Sequence, residues 1–247
     1  MNFYSPLGKE LTLQDFINYY SDAYYSGKAN GEVVKNLHKN SEIVDNEMEK
    51  ILSNGIKTEL DVINILAWKI GKLKLKESTE EHPFVYHKDW KINEISQEYK
   101  LKRYGKDFPI QEFAKYIVEN INDLQQLQPQ EILDSLNKSS IDYIGTVYFI
   151  TILYFISKAK YPIYDKFAWL ALQAINREEK PENTVGIKYK ELPSKETVEF
   201  CSICEKEYAD YIRKLKEIFG EDYKTNRDID RALWAYGHLF KCNKSDC

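Results

Sequence analysis

The sequence predicts an all-α protein built as a helical bundle, and three observations carry that expectation. Apolar residues recur at three- and four-residue spacing along most of the 247 residues, the 10 Gly and 7 Pro fall between those periodic segments, and strand-like alternation is scarce. The chain is 43% hydrophobic and 14% aromatic, enough apolar surface to bury a core, which excludes a disordered or fibrous chain.

Each element follows from the residues in order. Thr12 is placed to cap a first helix carrying Phe16, Ile17, Tyr20 and Tyr24, which Gly27 and Gly31 break. Ser41 opens a second helix with Ile43, Val44, Met48, Ile51 and Leu52, stopped at Asn54-Gly55. Thr58 caps a third with Leu60, Ile63, Leu66, Ala67 and Ile70, running to Gly71. From Lys72 to Pro109 the periodicity fails. That stretch is charged, contains Pro83, and holds one short apolar run, Phe84-Val85-Tyr86, readable as a single strand or as an extended loop; it is the expected lid-like segment. Helical spacing returns at Ile110, Phe113, Ile117, Ile121 and Leu124, then in a short helix opened by Pro129 with Ile132, Leu133 and Leu136. Ile141 to Ile156 is apolar nearly all round, the pattern of a central helix enclosed by others. Asp165 opens a helix with Phe167, Leu170, Ala171 and Ala174. A polar link with Pro181, Gly186 and Pro193 then leads to a long amphipathic helix capped by Ser194 and ended at Gly220, and a last helix runs from Asp228 to Phe240. The expected organisation is one all-helical domain over 1–247 with two lobes, 1–109 including the irregular loop 72–109, and 110–247.

Charge and termini narrow the function classes. With 35 Lys+Arg against 39 Asp+Glu the net charge is −4, which argues against a generic nucleic-acid coat. The start, MNFYSPLGKELTLQDF, lacks a basic stretch followed by an apolar run, so a cytoplasmic location is expected. The longest apolar run, Ile144 to Ile156, is 13 residues, short of the roughly 20 that span a bilayer, and no membrane partner is expected. No Gly-rich phosphate loop, G-x-S-x-G elbow or H-E-x-x-H motif is present, which leaves nucleotide hydrolysis, serine hydrolysis and zinc proteolysis without support.

The segment SSIDYIGTVYFITILYFISKAKYPIYDKFAWLAL places Gly145 before an apolar helix, follows that helix with a Lys-containing loop, and brings Asp165 to the start of the next helix, 21 positions from Gly145 inclusive. In this spacing it resembles the helix-hairpin-helix DNA glycosylase superfamily. The resemblance implies a helix-hairpin-helix glycosylase-like core in which a hairpin ending in Gly145 and Thr146 holds a phosphate and Asp165 is the catalytic carboxylate. Lys138, Lys158, Lys160 and Lys166 would then meet the nucleic-acid backbone, and Tyr164 and Trp169 would form the pocket for an extruded base. Members with lyase activity carry a Lys two residues after the last hairpin Gly. This chain has Val147, which cannot form a Schiff base, so the implied activity is that of a monofunctional DNA N-glycosylase, a hydrolase of DNA repair. No cofactor or metal is implied, and DNA is the implied partner. The segment from Lys138 to Lys190 holds eight basic and five acidic residues, a positive stretch in a negative chain.

Each candidate has a plainer alternative. Asp165 is also an ordinary helix cap, and Tyr164 and Trp169 also read as core aromatics. Arg231, Trp234, Tyr236 and His238 either line a pocket or serve as core with a polar handle. Cys201, Cys204, Cys242 and Cys247 do not share the single short run of the superfamily's iron–sulfur ligands and read as buried or free thiols; His82, His87 and Asp89 read as loop residues. Tyr143 stands where the hairpin usually has Gly, and Asp142 beside it would repel a phosphate. These two residues favour a rival reading, a catalytically inactive member of the fold serving as a binding or interaction module. A third reading is an unrelated helical protein that binds a small molecule.

Overall fold

Helix caps legible in the sequence set the boundaries of the first three helices. Thr12 Oγ1 accepts the Asp15 N–H to open α1 (Leu13–Ser26), and Ser41 Oγ accepts the Val44 N–H to open α2 (Glu42–Asn54). Thr58 and Asp61 form a reciprocal capping box at α3 (Glu59–Lys69). α1 stops at Gly27, whose φ of 69° lies in the left-handed region that a glycine enters without steric penalty.

This computed structural model describes residues 1–29, 32–33, 40–71, 73–75, 84–86, 90–92, 99–103, 106–139, 146–178, 180–181 and 205–240. Its remaining helices are α4 (Gln111–Glu119), α5 (Ile121–Leu124), α6 (Pro129–Ser139), α7 (Thr146–Ile156), α8 (Lys166–Asn176), α9 (Glu205–Phe219) and α10 (Arg227–Gly237), with 3-10 turns at Asp222–Lys224 and His238–Phe240. The expected helix from Ile110 to Leu124 is interrupted at Asn120, whose side-chain Nδ2 donates to the Tyr116 carbonyl at 2.8 Å and so competes with helix continuation. The expected Gly145 hairpin, Tyr143 and Asp142, the Ser194 cap, the four cysteines, and His82, His87 and Asp89 lie outside the described residues.

Helices dominate the described structure, but short antiparallel strands accompany them. β1 (Phe3–Tyr4) pairs with β2 (Glu10–Leu11) and β3 (Lys28–Ala29) with β4 (Glu32–Val33). The stretch expected to be irregular holds β5 (Leu73–Leu75) paired with β6 (Phe84–Tyr86), and a three-stranded sheet of β7 (Trp90–Ile92), β8 (Tyr99–Arg103) and β9 (Lys106–Pro109). Strands of two to five residues are too short for a period of two to stand out.

The chain divides into two units, one of residues 1–40 with 164–247 and the other of residues 41–163. The division expected at 109/110 falls inside the second unit. In the first unit α1 and α8 pack on α10 around an aromatic core. Phe16 and Tyr20 meet Tyr236 edge-on at 5.1 and 4.9 Å, and Tyr236 meets Phe240 at 4.8 Å. The Tyr20 hydroxyl, fully buried, donates to the Tyr4 carbonyl at 2.8 Å.

The second unit is organised on α7, which packs against α2, α3 and α6. Ile150, Thr151, Ile152 and Leu153 are completely buried, so an all-round apolar helix has found an all-round apolar site. Thr151 is tolerated there because its hydroxyl donates to the Val147 carbonyl at 2.9 Å. Among the described residues no helix is long and apolar enough to cross a membrane.

Candidate functional site

Asp165 precedes α8 with extended backbone (φ −138°, ψ 145°), and its Oδ1 accepts the Phe167 N–H at 2.8 Å. Its carbonyl accepts the Trp169 N–H at 2.9 Å, the first turn of the helix. The residue is half-buried, so a carboxylate held by the backbone is still open to water.

The start of α8 is in turn fixed by α10. A Cβ added at Gly237 would lie 1.9 Å from the Phe167 carbonyl oxygen and 2.5 Å from its carbon, so the two helices cross at a distance that only glycine permits. One residue further, His238 stacks on the Phe167 ring with centroids 3.5 Å apart and 26° between planes, and Trp234 lies 4.0 Å from the imidazole. His238 Nδ1 is 2.7 Å from the Trp234 carbonyl; a carbonyl only accepts, so Nδ1 carries the proton. Phe167, which supplies the N–H to Asp165, is thus gripped at both its backbone and its ring. Arg231 pairs with Asp228 at 3.0 Å, and Tyr236 and His238 are buried: these residues are core with satisfied polar groups.

Beside Asp165, Tyr164 is buried, with its ring 5.0 Å from that of Tyr211 and 6.4 Å from that of Trp169. Burial, and then Tyr208, Asp165 and Tyr164, push the Tyr211 phenol well above its ordinary 10.0 against the opposing charge of Arg227. Trp169 is half-buried, and Lys214 Nζ sits 4.6 Å from the centre of its ring while pairing with Asp210 at 3.2 Å. Two turns along α8 from Asp165, the buried Nε2 of Gln173 has no hydrogen-bond partner among the described residues.

The sequence-predicted residues are distributed unevenly. Tyr164, Asp165, Lys166 and Trp169 belong to the first unit, whereas Lys138, Thr146, Lys158 and Lys160 belong to the second. Lys138 lies in the last turn of α6 and Thr146 begins α7. Lys158 and Ala159 take left-handed φ values of 51° and 67° in the turn after α7, and the Ala159 N–H donates to the Tyr154 carbonyl at 2.9 Å. Lys160 Nζ rests 5.3 Å from the Tyr161 ring centre. Among the described residues no group of three or more His, Cys, Asp or Glu could hold a metal ion.

Sequence reasoning missed Phe167, Gly237 and Lys214 as parts of this site. Gly237 did leave a signal, since a glycine inside an otherwise periodic helix costs roughly 1 kcal/mol relative to Ala and is kept where backbones approach. Comparison with known protein families, with characterised proteins and with solved structures finds no match to this chain.

Proposed function

We propose that this chain acts as a monofunctional DNA glycosylase on a modified, flipped nucleotide, with Asp165 as the catalytic carboxylate. The observation that supports this most is the way Asp165 is held, capped by the Phe167 N–H while Phe167 is clamped by Gly237 and His238. Breaking an N-glycosidic bond develops positive charge on the sugar. A carboxylate already fixed in place stabilises that charge, or takes a proton from the attacking water, without reorganising during the reaction. Val147, in place of a lysine, cannot itself form a Schiff base with the sugar. Trp169 offers an indole face for the extruded base.

A second reading keeps the fold as a non-catalytic binding module. Lys214 over the Trp169 ring and the burial of Tyr164 favour it, because a base stacking on Trp169 must first displace that ammonium.

The test is binding to duplex DNA carrying an abasic-site analogue, with base release measured on damaged duplexes, for the native chain and Asp165→Asn. Asn is also a good helix cap, so the variant is expected to fold and bind while base release falls at least about a hundredfold. Lesion-selective binding without base release in either protein selects the second reading. Absence of binding at low salt overturns the glycosylase reading and leaves the second only for a partner other than DNA.

A further inference from the structure

The half-open side of α8 carries an amide donor that lacks an acceptor. Among the described side chains of this helix, Ala168, Leu170, Ala171, Leu172, Ala174 and Ile175 are buried, whereas Trp169 and Gln173 are half-buried. Residues four apart on a helix lie one above the other on the same face, with Cβ atoms about 6 Å apart. Trp169 and Gln173 are such a pair, and Asp165, four residues before Trp169, heads the same row. Successive turns therefore present a carboxylate, an indole and a primary amide.

Gln173 Nε2 is excluded from solvent and has no hydrogen-bond partner among the described residues. Its two N–H groups can only donate. A buried donor left unpaired costs stability, so one kept in a folded chain points to an acceptor from outside it, and a carbonyl oxygen is the matching group. The neighbouring indole indicates the shape that carries this acceptor. The Lys214 ammonium lies 4.6 Å from the centre of the Trp169 ring and is held by Asp210 at 3.2 Å. A partly exposed cation–π contact and a partly exposed ion pair are each weak. A flat ring stacking on the indole replaces the first and leaves the second intact.

We infer that a nucleobase presenting a carbonyl oxygen stacks on Trp169 in the place of the Lys214 ammonium and accepts a hydrogen bond from Gln173 Nε2, which makes Gln173 the residue that selects the base. A base with an amino group at the same position sets a donor against a donor, leaves both unpaired, and is refused. The choice of a nucleobase among flat heterocycles rests on the glycosylase reading. The placement of indole and amide does not depend on Asp165 being catalytic.

The probes are hypoxanthine and adenine, which carry a carbonyl oxygen and an amino group at the same ring carbon, each offered as the free base and at one position of a DNA duplex. Binding to the full chain is measured for the native protein, Gln173→Leu, Gln173→Met and Lys214→Met, with urea midpoints for all four. The native chain is expected to prefer hypoxanthine at least about tenfold, and both Gln173 variants to bind the two bases alike. Their urea midpoints should stay at or above the native one, because an unpaired buried donor has been removed. Lys214→Met keeps the aliphatic stem without the ammonium and should bind both bases about two- to fivefold more tightly, with the preference kept. If circular dichroism shows one Gln173 variant unfolded, the other is read alone. A preference for adenine, a hypoxanthine preference that survives in the Gln173 variants, or no binding of either base in either form overturns the inference. A lowered midpoint in both Gln173 variants also overturns it, since the amide then has its acceptor within the free fold. Base release is scored separately with Asp165→Asn: preference for hypoxanthine without release leaves this site standing while the glycosylase reading fails, and release without preference does the reverse.

Discussion

The two units bury their cores by different chemistry. Around α7 the second unit is chiefly aliphatic, with Ile63, Ile65, Ile117, Leu124, Ile150, Ile152 and Leu153 nearly or wholly excluded from solvent. Around α10 the first unit is aromatic and partly polar, with Phe16, Tyr20, Trp234, Tyr236, His238 and Phe240 in ring contact and the Tyr20 hydroxyl and His238 Nδ1 hydrogen-bonded. Aliphatic packing is non-directional and tolerates repacking at constant volume, whereas rings with polar handles admit few arrangements. The candidate carboxylate lies on the side built from rings. A core of that kind holds a helix start to a narrow position, which a site at Asp165 requires.

The comparison breaks most sharply at the α8–α10 crossing. Gly237→Ala should cost at least about 4 kcal/mol in urea unfolding, because the intruding methyl meets the Phe167 backbone and not a side chain that can turn away. Leu153→Ala in α7 should cost about 3 kcal/mol through the cavity it leaves, and Leu153→Met less than about 1.5 kcal/mol. If Gly237→Ala proves milder than Leu153→Ala, the claim that the aromatic unit is the more rigidly determined one is wrong.

Tyr211 supplies a pH-dependent contrast. Its phenol pKa is raised in the folded chain, so the protein holds this proton more tightly folded than unfolded; the stabilisation is complete below the ordinary value of 10.0 and is lost as pH rises above it. Stability of the native chain should fall more steeply than that of Tyr211→Phe above pH 10.0, by at most about 1.4 kcal/mol per pH unit, read from denaturant midpoints. Equal slopes would mean that Tyr211 is not buried with Asp165 and Tyr164 at its side. The smallest effect is expected in the turn after α7. Ala159→Gly at φ 67° should raise stability by up to about 1 kcal/mol, and a decrease would show that the left-handed turn is not a strained one.

Much of this organisation is legible in single residues. Thr12, Ser41, Thr58 and Asp165 each announce a helix start because capping is settled within three residues of chain. The all-round apolar run ending at Ile156 announces a buried helix for the same local reason. The sheet of β7, β8 and β9 was not legible, since strands of three to five residues show no period and their pairing depends on residues up to about ten apart along the chain. Tyr164, read from sequence either as part of a base pocket or as a core aromatic, is buried with its ring 5.0 Å from that of Tyr211, a residue 47 positions away.

By itself the sequence determined a mostly helical chain, its helix caps, the buried α7 and the placement of a carboxylate at the start of α8, all of which rest on interactions within a turn or two. Only the tertiary structure decided that the start of α8 is clamped by Gly237 and His238, that Lys214 covers Trp169, and that the chain's two ends join in one unit while its middle forms another. Those features require side chains tens of residues apart to meet, and no local pattern encodes which helix will supply the partner.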